Sequence, residues 1–113
     1  MTNNIVAVDF DGVLHDYQNP VEGKRMGKPI EGAEAGIEEL MERGYTIVIY
    51  TAKAATEGGK QAVEDWLDFY GIDYNQVTAV KPNALIYIDD RAIRFTSWPQ
   101  VFDSINSLTG YEE

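Results

Sequence analysis

Cysteine is absent from this sequence, which excludes disulfide bonds and thiolate metal sites. Apolar runs of membrane-spanning length are also absent, and the N-terminus lacks the basic and then apolar layout of a signal peptide. We therefore expect a cytoplasmic protein that does not bind membranes, and nothing indicates an obligate protein partner. With 113 residues, the chain is expected to form one domain, residues 1–113, around a single hydrophobic core.

Basic residues are scarce, since nine Lys and Arg against nineteen Asp and Glu give a net charge of −10. Such an excess excludes broad, nonspecific attraction to nucleic acid or to anionic membranes. The few cations are nevertheless concentrated: three share one stretch (Lys24, Arg25 and Lys28), and four flank the polar segments described below (Lys53, Lys81, Arg91 and Arg94). This distribution indicates an anionic substrate.

A β-branched apolar run, residues 5–8, ends abruptly in Asp9 and Asp11. A run of this kind without alternation predicts a strand buried on both faces, as in the parallel sheets of α/β proteins. Side chains at i and i+2 of a strand point to the same side, so the two carboxylates can serve one reaction centre while Phe10 packs away from it. Ligands of open α/β sheets bind at the carboxyl ends of the strands, where these acids are expected.

The remainder of the chain alternates between predicted helices and strands. Residues 14–31, with their glycines, prolines and basic cluster, are predicted to form a long loop or flap beside the site, with His15 as a polar surface residue. Trp66 is expected in the core. Helices are predicted over 32–43, over 56–70 and after a Ser97 cap, and strands over 46–50, 77–80 at an edge and 84–88. This order predicts a doubly wound, Rossmann-like parallel sheet without a large cap domain.

Polar residues follow each predicted strand: Asp9 with Asp11, then Thr51, Lys81, and Asp89 with Asp90. Several carboxylates that converge on one spot repel each other, and the usual relief is a hard, oxygen-binding cation such as Mg²⁺. A hydroxyl and an ammonium group opposite the acids would bind the remaining oxygens of a phosphoryl group. The pattern therefore predicts a magnesium site that handles phosphate.

Four segments, residues 8–13, 48–51, 81–82 and 87–90, resemble in sequence and order the motifs of the haloacid dehalogenase (HAD) superfamily of phosphatases, above all its small members without a large cap domain. The resemblance implies a Mg²⁺-dependent phosphomonoester hydrolase. Asp9 would be the nucleophile that forms an aspartyl-phosphate, and Asp11 the general acid and base, with a pKa raised by its acidic neighbours. Mg²⁺ would be bound by Asp9, by the backbone carbonyl of Asp11 and by the Asp89 and Asp90 pair.

The same resemblance implies that Thr51 binds a phosphate oxygen and that Lys81 offsets the negative charge of the reaction. Lys53, two residues after Thr51, is the alternative catalytic lysine, because relatives often place arginine there. Ala52 and Lys53 join Thr51 as candidate substrate-binding residues. The loop cations Lys24, Arg25 and Lys28 are candidate contacts for a small phosphorylated substrate such as a nucleotide, or for a nucleic-acid end.

Other classes of protein fit parts of the pattern. A phospho-accepting, receiver-like signalling switch also uses acids, a threonine and a Lys-Pro pair around Mg²⁺, but it places the acid pair first and Lys-Pro last, whereas Lys81 here precedes Asp89. A catalytically silent phosphate-binding module would need only the binding residues. A glycosyltransferase could use an Asp-x-Asp motif, although 113 residues leave little room for a sugar-nucleotide domain.

Overall fold

The structure is a computed structural model, and it describes residues 3–111. Six strands, three α-helices and one short 3-10 helix follow each other along this part of the chain. In order they are β1 (Ile5–Asp9), β2 (His15–Pro20), β3 (Gly27–Pro29), α1 (Ala33–Glu42), β4 (Thr46–Tyr50), the 3-10 helix (Ala52–Ala55), α2 (Glu57–Phe69), β5 (Gln76–Thr78), β6 (Ile86–Ile88) and α3 (Trp98–Thr109).

Four of the strands form a parallel sheet in the order β5-β4-β1-β6, and β2 pairs with β3 in a separate antiparallel hairpin. Strand β1 lies inside the sheet, where Val6 pairs with Ile47 on one side and with Ile86 on the other. The apolar run before Asp9 is thus a central strand, as its composition predicted. The predicted α/β class with a Rossmann-like parallel sheet is confirmed.

One face of the sheet carries the hydrophobic core. Alternate residues of β1, β4 and β5 point to this face, and α1 and α2 cover it with apolar residues at helical spacing. Trp66 of α2 is only 7% exposed, which confirms its predicted place in the core, and its indole N–H donates to the Gly27 carbonyl at 2.9 Å. The core includes Val6, Val8, Ile37, Ile47, Ile49, Val63, Leu67 and Val77.

The helices begin and end close to their predicted positions because the local signals are strong. Helix α1 is followed by Gly44, which adopts a φ of 91° that favours glycine. Helix α2 begins after Thr56, whose hydroxyl accepts a hydrogen bond from the Gly59 N–H at 3.0 Å. The predicted Ser97 cap is also confirmed, since its hydroxyl accepts from the Gln100 N–H at 3.3 Å.

None of the helices within residues 3–111 has the length and apolar character needed to cross a bilayer.

The predicted long loop or flap over residues 14–31 contains regular structure that the sequence did not predict, because β2 and β3 form a hairpin there. The hairpin is mostly exposed and polar, so it lacks the apolar alternation that identifies half-buried strands. Its two strands approach closely at Gly27, where a Cβ atom would collide with the carbonyl oxygen of Asp16. The segment therefore has regular structure that only its long-range contacts reveal.

Candidate active site

Three carboxylates meet at the carboxyl ends of the two neighbouring strands β1 and β6. Asp9 is the last residue of β1, and Asp89 and Asp90 directly follow β6, which runs parallel to β1. One carboxylate oxygen from each of the three acids lies within 4.8 Å of the others. The structure thus brings together three of the four acids that the sequence suggested as metal ligands.

Gly12 allows the turn after β1 to approach these acids. Its φ is 86°, in the region that side chains disfavour, and a Cβ atom there would collide with the Asp90 carboxylate. A larger residue would therefore strain the backbone and displace Asp90 at the same time. Glycine at this position is a requirement of the site as well as of the turn.

The surroundings of the Asp9 carboxyl group disfavour its charged form. Partial burial, together with the charges of Asp89, Asp90 and Asp11, raises the pKa of Asp9 to about 6, although a hydrogen bond from the Phe10 N–H to Oδ1 at 2.9 Å opposes the shift. A cation between the carboxylates would remove the repulsion that these charges create. Carboxylate oxygens are ligands for hard divalent cations such as Mg²⁺, Ca²⁺ and Mn²⁺.

Asp11 has the opposite electrostatics, which corrects the expectation that acidic neighbours raise its pKa. Its Oδ2 lies 2.5 Å from Lys53 Nζ and its Oδ1 lies 2.7 Å from His15 Nδ1. Burial acts to raise the pKa of Asp11, but the hydrogen bonds from Lys53 and His15 and the charge of Lys53 outweigh it, and the pKa lies below its usual range. Asp11 is therefore held as a carboxylate by two partners.

The prediction that His15 is a surface residue is wrong, because the side chain is 3% exposed. Its ring stacks on Phe10, with the centroids 5.0 Å apart, and meets Trp66 edge-on at 5.4 Å. The Gly27 N–H donates to Nε2 at 2.9 Å, so we assign the proton to Nδ1, which donates it to Asp11. The only signal in the sequence for this contact was that His15 follows Asp11 by four residues. The tight turn through Gly12 brings the two side chains together.

The structure brings Lys53, and not Lys81, into contact with these acids. Lys53 lies in the 3-10 helix after β4, and its N–H donates at 3.3 Å to the hydroxyl of Thr51, which is buried and caps that helix. The Lys81 ammonium group instead lies 4.8 Å from the centroid of the Tyr87 ring. Within residues 3–111, no ion pair joins Lys81 to an acid. Ala52, the other residue of this segment suggested for substrate binding, is exposed at the start of the 3-10 helix.

Tyr17 and Arg91 also belong to this site, although the sequence singled out neither as a functional residue. The Arg91 guanidinium group donates to the Tyr17 hydroxyl at 2.8 Å, which joins the hairpin to the segment after β6. A pocket of about 210 Å³ is lined by Asp9, Asp11, Tyr17, Asp90 and Arg91. Tyr17 carried no local signal, because its contact with Arg91 spans 74 positions of the chain.

The suggested substrate cations are not gathered around the acids. Lys24 and Arg25 lie at the turn of the hairpin and line a separate groove of about 500 Å³, together with the aromatic residues Trp66, Phe69 and Tyr70. This aromatic groove and the acid pocket share no lining residue. Lys28, in β3, is exposed and does not line the groove.

No family model and no curated protein matches this sequence. A solved structure of a conserved protein from Bacteroides thetaiotaomicron is similar, with a TM-score of 0.62 and 18% sequence identity. The similarity covers 95% of this chain and 93% of that chain. At this identity the likeness establishes a shared fold, and the fold extends over nearly the whole length of both chains.

Proposed function

We propose that this protein is a Mg²⁺-dependent phosphomonoester hydrolase of the HAD type that acts through an aspartyl-phosphate. The observation that carries the proposal is that carboxylate oxygens of Asp9, Asp89 and Asp90 lie within 4.8 Å of one another at the carboxyl edge of the sheet. Two residues after Asp9, Asp11 forms an ion pair with Lys53. A metal site of this kind suits phosphoryl transfer when one of its carboxylates, Asp9, can also act as the nucleophile and an acid-base residue lies beside it. A cytoplasmic location accords with the absence of cysteine.

The proposed metal ligands are the carboxylates of Asp9, Asp89 and Asp90, with the backbone carbonyl of Asp11 completing the protein's share. A bound Mg²⁺ would supply positive charge that offsets the repulsion between these acids and the negative charge of the phosphoryl oxygens. Thr51 and Lys53, at the end of the adjacent strand β4, would contact the phosphoryl group from its other side.

In the proposed mechanism Asp9 acts as the nucleophile. One carboxylate oxygen of Asp9 forms a bond to phosphorus while the bond from phosphorus to the leaving oxygen breaks, and Asp11 donates the proton that the leaving oxygen needs. Water then attacks the phosphorus of the aspartyl-phosphate, Asp11 accepts the proton of that water, and inorganic phosphate leaves with Asp9 regenerated.

Asp11 has to carry a proton before the first step, although Lys53 and His15 favour its carboxylate form. A phosphoryl group would compete with Asp11 for the Lys53 ammonium group, because it offers more negative charge to the same cation. When Lys53 turns to the substrate, the pKa of Asp11 loses its strongest lowering influence and rises. We therefore propose that substrate binding itself prepares Asp11 as the acid.

Magnesium is expected to raise the melting temperature at pH about 7.5 and to have little effect at pH about 5, because the proton on Asp9 competes with the ion. At about 100 times its Kd, an ion that binds only the folded state stabilises it by about 2.7 kcal/mol. The sign follows from the Asp9 pKa, which rises on folding from 3.8 to about 6. The metal-free protein should accordingly lose stability as the pH rises through this interval. Thermal unfolding with Mg²⁺ and with a chelator at both pH values measures the effect.

Two variants make this measurement specific to the acids. Asp89→Asn should abolish the rise in Tm with Mg²⁺, because it removes a proposed ligand, whereas Asp73→Asn, at an exposed position away from the site, should retain it. An equal rise in Tm for the protein and for Asp89→Asn would show that the ion binds elsewhere, and no rise in the unsubstituted protein at the higher pH would refute the metal site.

The aromatic groove supports a substrate that carries both a ring and negative charge, such as a nucleotide or a nucleic-acid end. The exposed Phe69 ring and the half-buried Tyr70 ring can stack with a base, and Lys24 and Arg25, which also line the groove, can bind additional phosphates. Hydrogen bonds connect the groove to Asp11, because Gly27 lines the groove and donates its N–H to the buried His15, which donates to Asp11. A substrate with a small neutral leaving group would not reach it.

Replacing Lys24, Arg25 and Lys28 together by glutamine is expected to raise KM for a nucleotide substrate about tenfold at low salt and to flatten its salt dependence. The kcat for a phosphate ester with a small neutral leaving group should change little, because the acids are untouched. Lys60→Gln, on the exposed surface of α2, is the control for lost charge. An unchanged KM for every anionic substrate at low salt would remove the cations from substrate binding without affecting the assignment of Asp9.

A further inference from the structure

Helix α3 carries large apolar side chains that the rest of the chain does not cover. Trp98, Phe102 and Leu108 are 65%, 59% and 78% exposed, and none of the residues of α3 is buried. With Ile105 they recur at helical spacing, so they form one apolar stripe. An isolated helix of 12 residues is marginal in water, and its stability has to come from packing of such a stripe.

Strand β6 is a second uncovered element. In the sheet it pairs with β1 alone, so its outer edge offers unpaired backbone N–H and C=O groups. Its three residues, Ile86, Tyr87 and Ile88, are exposed, and none is the charged residue or proline that ordinarily protects a strand edge. An apolar edge of this kind favours contact with another chain.

A largely apolar groove lies beside β6. It has a volume of about 380 Å³, and its lining includes Val13, Gly36, Ile37, Leu40 and Ile88. Three charged residues also line it, namely Glu31 and the ion pair of Glu39 with Arg43. No residue of α3 lines it. The Cα radius of gyration is 15.9 Å, whereas a compact chain of this length has about 13 Å. The chain thus presents an apolar helix and an apolar groove that it does not bring together.

We propose that this protein forms a two-fold symmetric homodimer in which α3 of each copy packs against β6 and the adjoining groove of the other. A two-fold contact covers the apolar surfaces of helix, groove and strand edge in both copies at once, because each copy has all three. The extended form of the chain suits such an exchange of helices.

Charge favours a second copy of this chain over a foreign partner. The chain has a net charge of −10, so most of its surface repels a second copy, and a self-associating surface has to be nearly neutral. Helix α3 has a single charged residue, Asp103, and β6 has none of its own, although the Lys81 ammonium group lies over the ring of Tyr87 in β6. A basic partner would instead bind to the acidic faces of the molecule, because the α3 stripe offers it no complementary negative charge beyond Asp103.

The uncovered area is sufficient for a stable contact. Nine large apolar side chains between residues 85 and 108 are more than a third exposed, and aromatic residues bury roughly 150–250 Å² each when fully covered. At the exposures seen here, this surface amounts to on the order of 1,000 Å² for each copy, compared with about 800 Å² for each partner in a standard interface. The nine are Leu85, Ile86, Tyr87, Ile88, Phe95, Trp98, Phe102, Ile105 and Leu108.

Sedimentation equilibrium over a range of micromolar concentrations tests the proposal. The expected mass is twice the 12.7 kDa of the chain. Phe102→Glu places a charge in the middle of the stripe and should raise the dimer Kd about tenfold or more. Phe69→Glu is the matched control, because Phe69 is 80% exposed but lies on α2, outside the proposed contact, and this variant should stay dimeric.

A second variant tests the groove without endangering the fold. Gly36 lies on α1 at the groove, where an added Cβ atom meets nothing within 4 Å, so Gly36→Gln should keep or raise the Tm of the monomer while it obstructs the groove. We expect a rise in the dimer Kd of about tenfold. Gly58→Gln, equally unobstructed on α2, should leave the Kd unchanged.

A monomer at every concentration would overturn the proposal, as would a dimer whose Kd neither Phe102→Glu nor Gly36→Gln changes. A dimer that Phe102→Glu weakens and Gly36→Gln does not would also overturn it, since the helices would then pack elsewhere than in the groove. These outcomes do not depend on phosphatase activity.

Discussion

Asp9→Asn is expected to lower kcat/KM for phosphomonoester hydrolysis by about 10⁴-fold or more, because it removes the group that forms the covalent bond to phosphorus. Asp11→Asn should behave differently. It keeps the nucleophile but cannot accept a proton from water, so phosphoryl transfer should proceed slowly and the phosphoenzyme should accumulate. Release of inorganic phosphate in the presence of Mg²⁺ measures the first effect, and intact-protein mass spectrometry after rapid quenching measures the second.

The control for both variants is Asp73→Asn, which removes an exposed carboxylate far from β1 in the sequence and should retain full activity. Near-native hydrolysis by Asp9→Asn would refute the proposed mechanism. A phosphoenzyme that forms in the unsubstituted protein and does not release phosphate would favour a receiver-like switch. The absence of both phosphoenzyme and turnover with any phosphate ester would favour a silent phosphate-binding module.

Lys53→Met is expected to lower kcat by about 10²-fold or more, whereas Lys81→Met should change it little. The reason is geometric: Lys53 Nζ lies 2.5 Å from Asp11 Oδ2, while the Lys81 ammonium group lies over the Tyr87 ring. Lys53→Met should also raise the pKa of Asp11 and so move the alkaline limb of the pH profile of kcat/KM, where Asp11 loses the proton that it must donate, to higher pH.

Steady-state kinetics of both variants measure these effects. The control is Lys60→Met, which removes the charge of an exposed lysine on α2 and so separates the loss of a catalytic charge from the loss of a surface charge. A severe effect of Lys81→Met with a mild effect of Lys53→Met would restore the role that the resemblance to HAD phosphatases implied for Lys81. It would also require the segment between β5 and β6 to move when substrate binds.

Local patterns in the sequence were enough to predict the central strand, the helices and the edge at which the acids converge. The apolar run before Asp9 and the caps at Gly44 and Ser97 act over a few residues, so they are visible without knowledge of the fold. Parallel strands bring their carboxyl ends to one edge whatever the remainder of the chain does. The meeting of Asp9 with Asp89 and Asp90 follows from that rule.

The partners of each acid, in contrast, depend on contacts between distant parts of the chain. Asp11 and Lys53 are 42 positions apart, and the burial of His15 depends on a hairpin that brings Gly27 against its ring. No pattern within a few residues predicts such contacts, because these hydrogen bonds and this burial form only when distant parts of the chain pack together. For the same reason the two carboxyl groups of one Asp-x-Asp motif have opposite pKa shifts, one crowded by acids and the other held by a lysine and a histidine.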